Sequence, residues 1–244
     1  MRKFGLIGEH LPHSFSGKYF TAKFEREGIE GCVYSLYELP TIDHLEELLS
    51  STPQLAGFNV TIPYKQQVMK YLTKLSVEAE AVGAVNCVKI DGDDLIGYNT
   101  DIIGFKSSLL NLLNGARPDH ALILGTGGAS LAVEYILKEI GVEYSIISRK
   151  AGEGRITYGD LDAKTIAENK LIINATPVGT YPDVDNAPDI PYEFLTKDHF
   201  LYDLVYNPPL TKFLASGRSQ GAAICNGEAM LIAQAESAWT IWNE

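Results

Sequence analysis

A lysine and an aspartate in the first half of the chain carry side chains suited to moving a proton. Lys65 ends the string IPYK, and Asp101 follows the string IGYNT. Hydride addition to a ketone needs a proton for the developing alkoxide, and a lysine paired with a carboxylate can supply it without a metal ion. We therefore predict that Lys65 and Asp101 are the catalytic residues of such a reduction.

A glycine-rich string in the second half of the chain has the composition of a phosphate-binding turn. It follows an apolar run at residues 121–124 and precedes a helical pattern at residues 129–140. Glycines at such a junction let the amides of a helix N-terminus approach a pyrophosphate. Ser130 stands where the usual dinucleotide fingerprint has its third glycine, so a purely structural turn is the alternative. The predicted cofactor-binding residues of this turn are Gly125, Thr126, Gly127, Gly128 and Ala129.

The end of the next predicted strand indicates which dinucleotide the turn would hold. An NAD-binding fold usually has an acidic residue there for the ribose hydroxyls, whereas this strand ends in Ser148, Arg149 and Lys150. Arginine presents planar donors that match a phosphate, and a carboxylate would repel one. An ordinary solvated basic pair is the alternative. We predict that these three residues bind a 2′-phosphate, so that the cofactor is NADP rather than NAD.

Alternating strand and helix patterns in the first block of the chain would position the lysine. The predicted strands and helices are at residues 3–7, 17–28, 42–50, 57–62 and 64–72. Pro63 precedes the last of these helices, where a missing amide proton costs nothing. This pattern predicts that Lys65 lies in the first helical turn.

A hairpin would position the aspartate. Two apolar runs flank the string DGDD, in which a glycine is available for the turn. If Ile90 pairs with Leu95, Asn86 lies opposite Asn99. Asp101 then lies just beyond the open end of the hairpin, beside Asn86.

The second block has the pattern of a doubly wound parallel sheet. Buried-strand runs and helical patterns alternate there, as expected of parallel α/β units. The predicted strands are at residues 121–124, 144–147, 171–173 and 200–205. A last helix is predicted at residues 228–242, with an apolar stripe that indicates packing.

Composition excludes several classes of protein. The chain has 244 residues, of which 45% are hydrophobic and 21% charged, which is typical of globular proteins. The sequence has neither a signal peptide nor a run of roughly 20 apolar residues, so we expect a cytoplasmic protein. Its three cysteines and five histidines lack metal-ligand spacing, so we predict no metal. A net charge of −11 disfavours nucleic acid and membrane partners.

Seven strings, taken in order, resemble the shikimate dehydrogenase family along nearly the whole chain. They are GEHLPHSFS, GFNVTIPYK, GAVNCVKIDGDDLIGYNTDIIGF, LGTGGAS, INATPVG, YDLVYNPPLT and NGEAMLIAQAE. The glycine motif alone would be unspecific, but the ordered set is highly specific.

The resemblance implies a fold and an activity. The implied fold is α/β with two domains and a deep cleft between them. An α/β substrate domain would comprise residues 1–101 plus 221–244, and a doubly wound Rossmann-type NADP domain residues 102–220. The implied activity is the reversible NADPH-dependent reduction of 3-dehydroshikimate to shikimate in aromatic amino acid (chorismate) biosynthesis, by a monomer or a homodimer.

The resemblance also implies roles for further residues. Ser14 and Ser16 resemble anchors of the substrate carboxylate, and Tyr206 would approach the same site. Partners of the ring hydroxyls would be Thr61, Asn86, Asp101 and Gln234. The nicotinamide surroundings would include Thr176, Val178, Leu204 and Gly227, although each of these four could instead be a turn or packing residue. For His13, beside the serine anchors, we expect a structural hydrogen bond.

Two alternatives to this activity remain open at the level of sequence. One is a sibling enzyme that oxidises quinate or prefers NAD, against which Arg149 and Lys150 argue. The other is a non-catalytic regulator that binds shikimate or a nucleotide, against which the presence of Lys65 and Asp101 argues.

Overall fold

Strands and helices alternate along the residues that the computed structural model describes, namely 1–11, 14–150, 152 and 155–244. The strands are β1 (Arg2–Gly8), β2 (Cys32–Glu38), β3 (Leu55–Val60), β4 (Lys74–Leu75), β5 (Cys87–Asp91), β6 (Asp94–Tyr98), β7 (His120–Leu124), β8 (Glu143–Ser148), β9 (Arg155–Thr157), β10 (Leu171–Asn174), β11 (Phe200–Asp203) and β12 (Ala223–Cys225). The α-helices are α1 (Phe15–Glu27), α2 (Leu45–Ser51), α3 (Val77–Val82), α4 (Asp101–Leu113), α5 (Gly128–Glu139), α6 (Ala163–Glu168), α7 (Lys212–Ser219) and α8 (Glu228–Asn243). Short 3₁₀ helices span Ile42–His44, Gln67–Tyr71, Tyr158–Asp160 and Tyr192–Phe194. Among the helices so described, we find none with the length and apolar character needed to cross a membrane.

The chain divides into two compact units, each with its own sheet. The first comprises Met1–Thr100 and Ala235–Glu244, and the second comprises Asp101–Gln234. Each unit therefore carries part of the predicted functional residues.

The first unit contains a mixed sheet with the strand order β2-β1-β3-β5-β6-β4. Strand β1 runs parallel to β2 and β3, whereas β5 runs antiparallel to both β3 and β6. Ile90 lies opposite Leu95, which confirms the predicted hairpin pairing. Gly92 in its turn has φ of 60°, a left-handed conformation that favours glycine.

The C-terminal half of α8 packs on this sheet through an aromatic cluster. Trp242 is 3% exposed, and its indole N–H donates a hydrogen bond to the carbonyl of Val88 at 2.9 Å. Its ring stacks on Phe4 with centroids 4.9 Å apart. A Cβ atom on Gly57 would lie 2.4 Å from the indole, so glycine is required for this close approach. The end of the chain is thus part of the core of the first unit.

An ion pair joins α8 to α1. The buried ammonium of Lys23 lies 2.8 Å from a carboxylate oxygen of Glu236, and the hydroxyl of Tyr19 donates to the same carboxylate. Burial, aided by the Glu236 carboxylate, raises the pKa of Tyr19 to about 12, so the phenol remains a donor at neutral pH. These contacts fix the position of α1, whose N-terminus carries two predicted site residues.

The second unit contains a fully parallel sheet with the strand order β12-β11-β10-β7-β8-β9. Numbered within the unit, this is the 3-2-1-4-5-6 order of the Rossmann fold, read from β9 to β12. The doubly wound sheet predicted from the sequence is confirmed. Its central strands have mainly apolar interiors because helices cover both faces of such a sheet; Leu122, Leu124, Ile172 and Leu201 are buried in one cluster.

The observed boundary between the units differs from the expected one near the end of the chain. The family resemblance implied that residues 221–244 belong to the first domain, but β12 pairs with β11 and completes the second sheet. The second unit extends to Gln234, inside α8. A strand of only three residues carries too little periodicity to be recognised in the sequence.

The predicted helix at residues 64–72 is wrong, and with it the helical placement of Lys65. An α-helix would require the carbonyl of Lys65 to accept from Met69. Instead that carbonyl accepts from the amide of Val85 at 2.8 Å, and the amide of Met69 bonds to Gln66. The hydroxyl of Tyr64 also donates to the carbonyl of Leu39 at 2.6 Å. Long-range bonds therefore hold Lys65 in a turn before the 3₁₀ helix.

Substitution Trp242→Ala should destabilise the first unit by about 3–5 kcal/mol, because it removes a large buried ring and leaves a cavity. The two tryptophans of the chain are Trp239 and Trp242, both in α8. Trp239 therefore remains as a fluorescent reporter of urea unfolding in the variant. Thr240→Ala, at an exposed position of the same helix, should change the midpoint little. Equal midpoints for the two variants would contradict the packing role of Trp242.

Candidate functional site

The serines predicted to bind a carboxylate lie at the N-terminus of α1. Ser14 is the N-cap residue, and its hydroxyl accepts from the amide of Gly17 at 3.4 Å. Ser16 lies in the first turn and is 8% exposed. A helix N-terminus with hydroxyl groups is a suitable environment for an anion. His13, which precedes them, lies outside the described residues.

A buried hydrogen-bond chain connects Tyr34, which lies near Ser16, to the hairpin. The hydroxyl of Tyr34 donates to the side-chain oxygen of Asn59 at 2.8 Å. The amide group of Asn59 donates to the carbonyl of Asn86 at 3.2 Å. Burial raises the pKa of Tyr34 well above its usual range, although its bond to Ser16 opposes the rise, so the phenol stays neutral. Tyr34, Asn59 and Asn86 thus belong to one network, with Ser16 near its first member.

Sequence reasoning missed Tyr34 and Asn59. Asn59 is a lone polar residue in the apolar strand β3, and β2 mixes polar and apolar residues, so neither pattern indicates a partner. The structure shows that both side chains belong to a hydrogen-bond chain that ends at the predicted site residue Asn86.

Asn86 links three segments of the first unit. Its side-chain oxygen accepts from the amide of Thr100 at 2.7 Å and from the Thr100 hydroxyl at 3.2 Å. The preceding residue, Val85, donates its amide to the carbonyl of Lys65. The Lys65 backbone is therefore bonded to the residue before Asn86, and the Asn86 side chain to the backbone of Thr100. Asp101 is the next residue after Thr100; it begins α4 and is 6% exposed.

Thr61 is held at the end of β3. Its amide donates to the carbonyl of Ile7 at 3.0 Å, and its carbonyl accepts from the amide of Tyr64 at 2.9 Å. Thr61 therefore begins the turn that contains Lys65. These two residues and Asn86 are brought together by backbone bonds within the first unit.

The predicted cofactor residues lie along one edge of the sheet in the second unit. They follow the carboxyl ends of successive strands in the order β8, β7, β10, β11 and β12. Four inter-strand steps of about 4.8 Å span roughly 19 Å along this edge. In open α/β sheets this edge is where ligands bind. In strand order the residues are Ser148, Arg149 and Lys150, then Gly125 to Ala129, then Thr176 and Val178, then Leu204, and finally Gly227.

The glycine turn between β7 and α5 is open to a ligand. Gly125 has φ of 110°, and a Cβ atom there would lie 2.7 Å from a methyl carbon of Thr176. Gly127 caps α5 without a side chain, and a Cβ atom there would have no described atom within 4 Å. Ser130, in place of a third glycine, is buried and donates to the carbonyl of Gly127 at 2.7 Å. The first amides of α5 are therefore accessible.

Two cations stand at the end of β8. Arg149 and Lys150 are both exposed, and the amide of Lys150 donates to the hydroxyl of Ser148 at 3.3 Å. Burial raises the pKa of Tyr158, and the nearby positive charge of Arg149 partly offsets this rise.

The remaining predicted residues are distributed as follows. Leu204 follows β11, and a Cβ atom on Gly227 would lie 2.2 Å from its carbonyl oxygen, so Gly227 is a close-packing glycine. Tyr206 is half-buried, and burial raises its pKa. Gln234 is 8% exposed on α8.

Among the side chains that the structure describes, no group of three or more His, Cys, Asp or Glu is arranged to hold a metal ion.

Comparison with known proteins decides the family. Residues 6–88 match the family model of the shikimate dehydrogenase substrate binding domain. A shikimate dehydrogenase (NADP(+)) of Clostridium beijerinckii is 38% identical over 253 residues, which cover 100% of this chain and 93% of that protein. The chain belongs to the shikimate dehydrogenase family.

Solved structures of the shikimate dehydrogenase family agree with the fold described above. A shikimate 5-dehydrogenase from Thermus thermophilus, in complex with NADP(H) and shikimate, is 30% identical with a TM-score of 0.84, covering 99% of this chain and 93% of that one. A quinate dehydrogenase from Corynebacterium glutamicum, in complex with NAD, is 29% identical with a TM-score of 0.85, covering 99% and 93%. The two-domain α/β fold is therefore shared by enzymes with different cofactors.

This member of the shikimate dehydrogenase family also contains a buried acidic residue that was not predicted from the sequence. Asp203, the last residue of β11, is completely buried. Burial raises its pKa to about 6, and hydrogen bonds from Thr211, Val205 and Asn174 partly oppose the rise. It lies immediately before Leu204, on the edge of the sheet that carries the predicted cofactor residues.

Asp203→Asn should change the pH dependence of stability. Because an ordinary aspartate has a pKa of 3.8 and Asp203 has a pKa of about 6 in the fold, the native state binds more protons than the unfolded state between these values. The free energy of unfolding of the wild type should therefore fall as pH rises from about 4 to about 6. Relative to the wild type, the variant should gain up to about 3 kcal/mol over this window.

Urea unfolding followed by circular dichroism at several pH values between 4 and 7 measures this difference. The neighbouring phenols of Tyr192 and Tyr202 remain neutral throughout, because burial raises both pKa values. A difference between variant and wild type that is independent of pH would show that Asp203 does not titrate in this range.

Proposed function

We propose that this chain is an NADP-dependent shikimate dehydrogenase that reduces the ketone of 3-dehydroshikimate to shikimate in aromatic amino acid (chorismate) biosynthesis. The observation that carries the proposal is the hydrogen-bonded junction at Asn86, which joins the turn of Lys65 to Thr100, the residue before Asp101. The full-length similarity to NADP-dependent relatives supports the same activity.

In the proposed mechanism the chain provides the proton and the bound cofactor provides the hydride. The ammonium of Lys65 donates a proton to the carbonyl oxygen as negative charge develops on it. The carboxylate of Asp101 orients that ammonium and assists proton transfer. In the reverse direction Lys65, in its neutral form, accepts the hydroxyl proton.

Each proposed substrate contact pairs a polar group of the substrate with a polar side chain of the protein. Ser14 and Ser16, at the N-terminus of α1, bind the substrate carboxylate through hydroxyl groups. The ring hydroxyls bond to Thr61, Asn86, Asp101 and Gln234, and Tyr206 contacts the same molecule. Buried hydrogen bonds from Tyr34 to Asn59 and from Asn59 to the Asn86 carbonyl hold Asn86 in place before substrate binds.

The proposed cofactor contacts follow the edge of the Rossmann sheet. The accessible amides of the Gly125 to Ala129 turn fit a pyrophosphate, and Ser148, Arg149 and Lys150 fit the 2′-phosphate. Thr176, Val178, Leu204 and Gly227, at the other end of the edge, surround the nicotinamide. The order of these residues matches a dinucleotide that extends along the strand ends.

The nearest alternative is an enzyme that oxidises quinate or uses NAD, as in one of the similar structures. The exposed pair of Arg149 and Lys150 favours NADP, because NAD has no 2′-phosphate for these two cations to bind. A non-catalytic binder of shikimate or a nucleotide is a second alternative, which the presence of Lys65 and Asp101 disfavours.

The proposal includes a cytoplasmic location and a monomeric or homodimeric state. Cys32, Cys87 and Cys225 are free thiols, which is typical of proteins in reducing compartments.

The loss of NADPH absorbance on addition of 3-dehydroshikimate to the purified protein tests the activity. NADH and 3-dehydroquinate are assayed in parallel. Rapid loss with NADPH and 3-dehydroshikimate alone would support the proposal. Turnover of 3-dehydroquinate or NADH would favour the sibling enzyme, and no turnover in any combination would favour the non-catalytic binder.

Lys65→Ala should lower kcat by about 10²- to 10⁴-fold, because it removes the general acid. Shikimate binding, measured by calorimetry, should change much less. Lys70→Ala is the matched control: Lys70 is an exposed lysine of the same segment, and its partner is Asp43. Unchanged turnover in the Lys65 variant would remove this residue from the mechanism.

Arg149→Ala should raise the KM for NADPH by roughly 10- to 100-fold, because a charged hydrogen bond to the 2′-phosphate is lost. The KM for NADH should change little, since NADH has no phosphate at that position. Steady-state kinetics with both cofactors separate the two outcomes. Equal increases for NADPH and NADH would mean that Arg149 does not recognise the 2′-phosphate.

A further inference from the structure

We infer that Asp203 is a positioning residue that holds both sides of the nicotinamide-binding region, the segment from Thr176 to Val178 and the segment at Leu204. This inference rests on the proposed function, because the region is assigned to nicotinamide there. Asp203 itself has no exposed surface, so it acts through the residues bonded to it.

Asp203 and Asn174 form the centre of a buried network. They are the last residues of the adjacent strands β11 and β10 and lie opposite each other in the parallel register. Both side chains have 0% exposure. One carboxylate oxygen of Asp203 accepts from the side-chain amide of Asn174 at 2.9 Å, and the other accepts from the Thr211 hydroxyl at 2.6 Å. The two strand ends are therefore joined by side chains as well as by the backbone.

Asn174 extends the network to the first segment. Its side-chain oxygen accepts from the hydroxyl of Thr176 at 2.6 Å and from the Thr176 amide at 3.1 Å. Its side-chain amide also donates to the carbonyl of Val178 at 3.3 Å, and the Val178 amide donates to the Thr176 hydroxyl at 3.2 Å. The conformation of this segment thus depends on the orientation of the Asn174 side chain, which its bond to Asp203 fixes.

Asp203 holds the second segment through its own loop. The carboxylate oxygen that bonds to Asn174 also accepts from the amide of Val205 at 3.0 Å, which folds the chain around Leu204. The amide of Leu204 donates to the carbonyl of Asn174 at 3.0 Å, and Gly227 donates to the carbonyl of Val205 at 3.2 Å. Leu204 and Gly227 are therefore kept in close contact by bonds that begin at Asp203.

The effect of this network should be confined to the nicotinamide end of the cofactor. The network occupies the ends of β10 and β11, whereas Arg149 and Lys150 follow β8, on the far side of β7. A change in the orientation of Asn174 therefore alters Thr176 and Leu204 without reaching the residues proposed for the 2′-phosphate.

Binding of whole and partial cofactors tests this separation. Dissociation constants for NADPH and for adenosine 2′,5′-bisphosphate, which lacks the nicotinamide, are measured for the wild type and for Asp203→Ala. We expect NADPH to bind about tenfold or more weakly to the variant, a loss that corresponds to about one buried hydrogen bond. The bisphosphate should bind with an affinity within about twofold of the wild type.

Two further variants separate positioning from general destabilisation. Asp203→Asn keeps an oxygen for Asn174 and Val205 and should restore most of the NADPH affinity. His199→Leu is the matched control: His199 precedes β11 at its opposite end, is completely buried and bonds to the Ile166 carbonyl at 2.9 Å. It should lower the unfolding temperature without changing the ratio of the two dissociation constants.

Specific outcomes would overturn the inference. Equal weakening of NADPH and bisphosphate binding in Asp203→Ala, or the same selective loss in His199→Leu, would show that Asp203 only stabilises the fold. If Asp203→Ala does not fold, Thr211→Val serves as the second variant, because it removes one donor to the carboxylate. It should weaken NADPH binding by a smaller factor and leave bisphosphate binding unchanged. Equal weakening of both in this variant would also overturn the inference. A wild-type protein that binds neither molecule would instead refute the proposed function, and this inference with it.

Discussion

Buried polar groups at the ends of strands must find hydrogen-bond partners, and this requirement determines the structure around the functional residues. An unpaired polar group in the interior costs free energy that neighbouring apolar contacts do not recover. In the first unit, the Asn86 side chain satisfies the Thr100 backbone. In the second, the Asp203 side chain satisfies Val205, Thr211 and Asn174. Both side chains fix loops whose residues are proposed to bind substrate or cofactor.

The net charge of the protein has the same sign as the charges of its proposed ligands, so the two repel each other at long distances. The net charge is −11, whereas the substrate carries a carboxylate and the cofactor several phosphates. Salt limits the reach of surface charges to about 8 Å at physiological ionic strength. Nearby groups therefore decide whether an anion binds: the amides at the N-terminus of α5, the hydroxyls at the N-terminus of α1, and the side chains of Arg149 and Lys150. This arrangement makes recognition depend on local geometry rather than on the field of the whole protein.

The sequence predicted those parts of the fold that local patterns determine. The Ile90 and Leu95 pairing followed from a turn signal between apolar runs, and the glycine turn followed from its position between a buried strand and a helix. Lys65 was placed wrongly because its carbonyl bonds to Val85, twenty residues away, and no local pattern encodes that bond. Strand β12 was missed for a similar reason, since a segment of three residues is defined by its partner strand.

The networks around Tyr34 and Asp203 could not be predicted because a polar residue within a strand does not reveal its partner. The two networks use different chemical groups, neutral side chains at Tyr34 and a carboxylate at Asp203, because their hydrogen-bond partners differ. In the first unit donors and acceptors alternate: Tyr34 donates to Asn59, and Asn59 donates to the Asn86 carbonyl, so neutral groups suffice. At Asp203 three donors converge on one side chain. An ionised carboxylate accepts all three without introducing a donor of its own, whereas an amide would accept from Asn174 and Val205 and require the Thr211 hydroxyl to reverse its role and accept. The number of converging donors, rather than a need for charge, therefore accounts for a buried acid at this position.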